Sequence, residues 1–181
     1  MPGVPAPLVT TLVLGGARSG KSAFAEGLVS SSGLGLRYLA TAEAGDGEMR
    51  ERIAHHRDRR GPGWTTREEP LALVEALAEE AGESRAVLVD CLTLWLSNLL
   101  FAERDLEAET SRLCAFLGDA PGPIVLVSNE VGMGLVPETP LGRRFRDAQG
   151  RLNQAVAAVV PSVAFVAAGL PLWLKGWAAR R

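Results

Sequence analysis

Gly15-Gly16-Ala17-Arg18-Ser19-Gly20-Lys21-Ser22 fits the pattern G-x-x-x-x-G-K-[ST], the phosphate-binding P-loop. Its flanks fit as well as its letters. Upstream, Leu8-Val9-Thr10-Thr11-Leu12-Val13-Leu14 is β-branched and apolar and reads as a buried strand. Downstream, Ala23 to Val29 reads as a helix, with Phe24/Leu28 and Ala25/Val29 paired four residues apart. Strand, glycine turn and helix in that order aim backbone N–H groups and the positive end of the helix at a phosphate chain. Lys21 is expected to reach the β- and γ-phosphates, and the Ser22 hydroxyl to ligate Mg²⁺. The bland alternative is a glycine-rich turn that binds nothing.

The rest of the chain sets wide bounds. Its 181 residues suit a single domain, 1–181, and 47% hydrophobic residues suffice for a sizeable core. A net charge of −2 makes no case for a nucleic-acid surface. Two cysteines, Cys91 and Cys114, fit a reducing compartment, have no metal-ligand spacing and read as small core residues. Met1 to Pro7 is short and proline-rich, without the basic start of a signal peptide. Ala155 to Leu174 carries no charge and is about as long as a membrane span. Pro161, Gly169 and Pro171 divide it into a helix end, a turn, a buried strand over Ser162 to Ala168 and a second turn. The expectation is a soluble, cytoplasmic protein with no membrane span.

Further strands are expected at Leu36 to Thr41, Ala86 to Asp90 and Ile124 to Asn129. Between them the pattern predicts a charged helix from about Glu48 toward Arg60, stopped by Gly61-Pro62-Gly63. An amphipathic helix over Leu71 to Ala81 follows, then a strongly apolar one from Cys91 to Ala102 that continues as a more polar helix to Leu117. After the loop Glu130 to Thr139, a helix from Pro140 to about Val159 shows the stripe Leu141, Phe145, Ala148, Leu152, Ala155 and Val159. Apolar strands alternating with helices argue for an α/β fold, a mostly parallel sheet with helices on both faces. Ligands then bind at the carboxyl ends of the strands, where Thr41, Asp90, Asn129 and the P-loop all fall.

Two stretches carry further chemistry. Asp90 follows four apolar strand residues and is the candidate Walker-B acid for Mg²⁺; the alternative is an acid that caps the next helix. His55-His56-Arg57-Asp58-Arg59-Arg60 holds both histidines of the chain and three arginines. Arginines there suit triphosphate oxygens, and their charge lowers a neighbouring imidazole's pKa, leaving it neutral and nucleophilic. On a helix, Met49, Ile53 and His56 share a face, and His55 points about 200° away from Ile53. The alternative is a solvated basic helix face with one packed histidine.

Together these blocks resemble one family. Gly-Gly-Ala-Arg-Ser-Gly-Lys-Ser, Ala40-Thr41, the His55-His56-Arg57-Asp58-Arg59-Arg60 block with Trp64, Asp90-Cys91-Leu92-Thr93 and Ser128-Asn129-Glu130-Val131-Gly132-Met133-Gly134 look like the bifunctional adenosylcobinamide kinase / adenosylcobinamide-phosphate guanylyltransferases of cobalamin biosynthesis. The likeness runs from about Leu12 to Lys175 and implies a RecA-like P-loop NTPase fold. It implies two reactions: phosphorylation of adenosylcobinamide by a nucleoside triphosphate, ATP or GTP, and transfer of GMP from GTP to that phosphate through a GMP–histidine intermediate. By resemblance, His55 is the nucleophile and Lys21 the catalytic lysine. Gly15, Gly16, Ala17, Arg18, Ser19, Gly20, Lys21, Ser22, Ala40, Thr41, His56, Arg57, Asp58, Arg59, Glu68 and Asp90 contact the nucleotide. Ser22 and Asp90 are the metal partners, and the assembly is a homotrimer, for which an apolar face on Leu92 to Phe101 is available.

Two other readings stand beside this one. A plain P-loop small-molecule kinase uses every feature except His55. A GTP-dependent regulator lacks support, because no Asn-Lys-x-Asp motif is present and Asp90 is followed by Cys-Leu-Thr instead of D-x-x-G.

Overall fold

The computed structural model describes residues 7–42 and 63–176. The helix expected from Glu48 toward Arg60, with His55, His56, Arg57, Asp58 and Arg59, lies outside the described residues. Among those described, seven strands form one sheet: β1 (Thr11–Gly15), β2 (Gly35–Ala40), β3 (Trp64–Glu68), β4 (Arg85–Asp90), β5 (Ile124–Asn129), β6 (Ser162–Ala167) and β7 (Leu170–Lys175). Their order is β3-β2-β4-β5-β1-β6-β7, parallel throughout except for β7, which pairs antiparallel with β6. Five helices accompany them: α1 (Lys21–Ser30), α2 (Leu73–Glu80), α3 (Leu92–Phe101), α4 (Leu106–Gly118) and α5 (Pro140–Val159).

Side chains alternate across each strand, so the sheet feeds two cores. On one face Val13, Leu88, Val125, Val127 and Val166 pack with Ala25 and Val29 of α1. On the other, Leu12, Val87, Val89, Ile124 and Leu126 pack against α2, α3, α4 and α5. The central strands are apolar on both sides because both sides are covered. The apolar face of α3 belongs to this core: Leu92, Trp95, Leu96 and Leu99 are fully buried. Trp95 satisfies its indole by donating to the Leu71 carbonyl at 3.0 Å. The face expected to be free for an interface is therefore interior, with only Phe101 left out at its end.

Three further expectations change. Strand β3 was not anticipated: Trp-Thr-Thr-Arg-Glu is polar because it forms a sheet edge, anchored by Trp64 edge-on to Tyr38 at 6.2 Å. The segment after the strand at Ser162, expected as a turn only, forms a hairpin that continues as β7, and β7 tolerates Pro171 because it too is an edge. The run from Cys91 to Leu117 is two helices. Glu103 takes a positive φ of 53°, and Asp105 caps α4 by accepting the amides of Glu107 and Ala108.

The stripe of α5 also turns. Leu141 and Val159 are exposed, while Gln149 and Asn153 are buried with Ala148, Leu152 and Val156. A polar partner inside, described below, makes their burial tolerable. No helix among the described residues is long and apolar enough to cross a membrane. The charge-free run from Ala155 is shared among α5, β6 and β7.

Candidate nucleotide-binding site

The P-loop joins β1 to α1 and is shaped by exclusion. A Cβ on Gly15 would stand 2.5 Å from both Ser19 Oγ and the Val166 carbonyl, so the turn closes only over a glycine. Gly20 takes φ +93° as the residue before α1, and Arg18 is also left-handed at φ +56°. No side chain of Gly20 caps α1, and its first turn holds no acidic residue. The Lys21 amide reaches Ser19 Oγ at 3.4 Å, and the positive end of the helix stands at the mouth of the turn, an arrangement suited to an anion.

Lys21 opens α1 and is only 9% exposed. Its ammonium donates to the Gly16 carbonyl at 3.1 Å. Burial lowers its pKa, and the Asp90 carboxylate at the end of β4 acts in the opposite direction. The ammonium is thus fastened to the loop after β1; Asp90 ends β4, and β5 lies between these two strands.

Asp90 ends β4, and its Oδ2 accepts the Tyr38 hydroxyl of β2 at 3.1 Å. Thr41, beyond the end of β2, is fully buried; its hydroxyl donates to the Cys91 carbonyl at 2.7 Å and accepts the Cys91 amide at 2.9 Å. Asn98 of α3 donates to the Thr41 and Pro70 carbonyls at 2.8 and 3.1 Å. This lattice clamps the chain on either side of Asp90. Cys91 is a neutral core thiol, its pKa pushed up to about 11, first by burial and then by Asp90.

The structure thus brings Gly15 to Ser22, Ala40, Thr41 and Asp90 to the same end of the sheet. Glu68 ends β3 directly beside Ala40, exposed at the rim. Tyr38 and Asn98 are participants that sequence reading passed over. Asn98 had a signal, a carboxamide in an otherwise leucine-rich helix. Tyr38 had none, because only pairing of β2 with β4 brings it to Asp90.

The β6–β7 turn adds a support. Ala168 and Gly169 take φ of 51° and 78°, and the Gly169 amide donates to the Ser19 carbonyl at 2.8 Å. The hairpin is thereby fastened to the P-loop.

Comparison with known proteins agrees with this geometry. A family model described as cobinamide kinase / cobinamide phosphate guanyltransferase matches residues 11–174. The chain is 55% identical over 167 residues to the bifunctional adenosylcobalamin biosynthesis protein CobP of Pseudomonas aeruginosa, covering 91% of this chain and 96% of that one. It is 41% identical over 179 residues to the bifunctional adenosylcobalamin biosynthesis protein CobU of Escherichia coli, covering 91% and 98%. Among solved structures, a Pyrococcus horikoshii protein superposes with a TM-score of 0.57 at 12% identity, over 96% of this chain and 89% of that one. An ATPase of a bacterial type III secretion system gives 0.56 at 11% identity, over 91% and 56%. The RadB recombinase gives 0.51 at 18% identity, over 88% and 74%. At such identities these structures establish the fold, a RecA-like P-loop NTPase.

Proposed function

The chain belongs to the cobinamide kinase / cobinamide phosphate guanyltransferase family, and from that premise we propose how one domain performs the two reactions. It is a bifunctional enzyme of adenosylcobalamin biosynthesis: it phosphorylates cobinamide and transfers a guanylyl group to the product. The observation that supports the mechanism best is the buried Lys21 ammonium at the foot of the P-loop, bonded to the Gly16 carbonyl.

In the kinase step, phosphoryl transfer asks the protein for position and charge more than for covalent chemistry. The P-loop amides hold the phosphate chain, and Lys21 leaves the Gly16 carbonyl to meet the phosphates. Ser22 and Asp90 are hard oxygen donors, and no cluster of three or more His, Cys, Asp or Glu stands among the described residues. Such a sparse donor set suits Mg²⁺, which keeps several waters and draws its remaining ligands from phosphates. Mg²⁺ held by Ser22 and Asp90 would neutralise charge on the phosphate oxygens. Tyr38 orients the Asp90 carboxylate for that task.

In the second step the His55 imidazole attacks the α-phosphorus of GTP. A nitrogen–phosphorus bond forms and pyrophosphate leaves. The phosphate of cobinamide phosphate then displaces the histidine, giving adenosylcobinamide-GDP. His56, Arg57, Asp58, Arg59 and Glu68 complete the nucleotide contacts by family resemblance. The same resemblance carries a homotrimer, and the exposed row Leu170, Leu172 and Leu174 on edge strand β7 is an apolar surface available to it. The unpaired Cys91 and Cys114 support a cytoplasmic setting.

Incubation with GTP labelled at the α-phosphate tests this reading. The expected product is protein-bound GMP, acid-labile and alkali-stable, absent from His55→Ala. That variant should retain phosphorylation of cobinamide. Kinase activity with no adduct in the wild type reduces the enzyme to a plain kinase, and loss of both activities in a folded His55→Ala overturns the division of labour.

A further inference from the structure

Strand β5 ends beside Gly15 of the P-loop, and the Glu130 amide donates back to the Gly15 carbonyl at 3.1 Å. The chain then forms a loop, 130–139, before α5 begins at Pro140. Both ends of this loop are locked. Beneath it, the fully buried Ser128 donates to Asn153 Oδ1 of α5 at 2.7 Å and accepts from Gln149 Nε2 at 3.0 Å, which fixes β5 to α5. At the near end Glu130 Oε1 accepts the Gly132 amide at 2.5 Å. At the far end Arg143 Nη1 donates to the Pro137 and Glu138 carbonyls at 2.9 and 2.8 Å, and the Gly142 amide donates to Thr139 Oγ1 at 3.1 Å.

Between these anchors, apolar side chains stand in solvent. Met133 is 81% exposed, Leu135 95% and Val136 65%. A loop fastened at both ends that still displays such a row is a contact surface. Leu141 extends it at the start of α5. The other large apolar side chains exposed among the described residues stand elsewhere. Val9 precedes β1 and Val159 ends α5 just before β6, both at the opposite end of the sheet. Phe101 closes α3 on the β2 side, past the bond from Asn98 to Thr41. Leu170, Leu172 and Leu174 lie along the β7 edge.

A molecule that takes a phosphoryl group from the P-loop must approach the carboxyl end of the sheet, where the 130–139 loop stands. Charge narrows the occupant further. From Asn129 to Gly142 the charged residues are Glu130 and Glu138, both acidic, and Arg143 is committed to the loop carbonyls. Such a surface repels a nucleotide and suits a large ligand with apolar faces and no negative charge. Cobinamide has that chemistry: a corrin macrocycle with apolar faces, a rim of neutral amides and a net positive charge.

We propose that Met133, Leu135 and Val136 form the platform on which the corrin ring of cobinamide rests while its hydroxyl meets the terminal phosphate in the P-loop. The unbranched, polarisable Met133 side chain adapts to the ring face, and Leu135 and Val136 exclude water from it. The bond from Glu130 to Gly15 joins platform and phosphate site, so ring and hydroxyl are placed by one framework. The assignment rests on the P-loop being the site of the kinase step.

The test uses the full chain with Met133→Ser and Leu135→Ser combined, both at exposed positions. GTP labelled at the γ-phosphate reads phosphorylation of cobinamide, and GTP labelled at the α-phosphate reads the protein-bound GMP, which forms without cobinamide. The KM for cobinamide should rise about tenfold or more, the KM for GTP should stay within about twofold, and the GMP adduct should form as in wild type. Met133→Leu combined with Leu135→Met keeps the apolar surface and should bring the KM for cobinamide back to within about threefold of wild type. An unchanged KM for cobinamide in the serine variant overturns the platform. So does an equal rise in both KM values, the mark of a general disturbance of the site. A changed oligomeric state by light scattering also overturns it, because the row is then a contact between copies of the chain. Wild-type protein that forms the GMP adduct and phosphorylates no cobinamide overturns the kinase reading beneath the proposal.

Discussion

Gly20 and Gly169 meet where the P-loop rests on the β6–β7 turn: a Cβ on Gly20 would stand 3.0 Å from the Gly169 Cα. The contact is backbone to backbone, so no flexible side chain can yield. Gly20 also sits at φ +93°, a conformation that strains any residue with a Cβ. Gly20→Ala is therefore expected to cost about 1–3 kcal/mol of stability. It should also weaken nucleotide binding by an order of magnitude or more. Denaturant unfolding and nucleotide titration check the two effects, and a variant with wild-type behaviour in both would show that the turn accommodates the methyl.

Lys21 exposes a conflict between stability and function. Burial lowers its pKa from the ordinary 10.5. Below the lowered value it is charged in both folded and unfolded states, and its burial cost is present in full. As pH rises from that value toward 10.5, the unfolded chain binds more protons than the folded one, so stability rises and the cost disappears. Lys21→Met keeps the stem and removes the charge. It should be more stable than wild type at neutral pH, by an amount that shrinks as pH climbs toward 10.5, while losing both catalytic activities. Unfolding curves across that range measure it; a less stable methionine variant at neutral pH would show that the Gly16 and Asp90 interactions outweigh desolvation.

Tyr38→Phe removes the hydroxyl that Asp90 accepts, and the ring keeps its contact with Trp64. The loss of stability should be on the order of 1 kcal/mol. The expected signature is kinetic: a several-fold rise in the Mg²⁺ concentration needed for half-maximal kinase activity. Metal titration of the two proteins decides this, and identical curves would remove Tyr38 from the site.

Asn98→Leu leaves the Thr41 and Pro70 carbonyls without their donor. Unsatisfied carbonyls at a half-buried position cost roughly 1–3 kcal/mol each. The clamp on Asp90 should loosen as well, lowering kcat more than the melting temperature alone explains. Activity measured far below the melting transition separates the two effects. Full activity there would confine Asn98 to a structural role.

Much of this molecule was legible in local pattern. The P-loop, the apolar strands β1, β4 and β5 and the long helix α5 follow from short-range rules of periodicity and turn chemistry. The strands β3 and β7 did not, because an edge strand needs no buried alternation and both were polar or proline-bearing. The rotation of α5 escaped for a related reason. A helix wheel counts Gln149 and Asn153 as outward residues, and only the Ser128 hydroxyl across the interface makes them inward ones.

By itself, the sequence determined that a phosphate-gripping turn sits between a buried strand and a helix, and that an acid ends a neighbouring strand. Those features depend on residues close in the chain. Tertiary structure alone decided which strands stand side by side, and therefore that β5 separates Lys21's loop from Asp90 with Asn129 at its tip. It alone also decided that a hairpin from the far end of the chain holds the P-loop through Gly169. Pairing between strands distant in the chain is set by the packing of the whole sheet, which no local run of residues encodes.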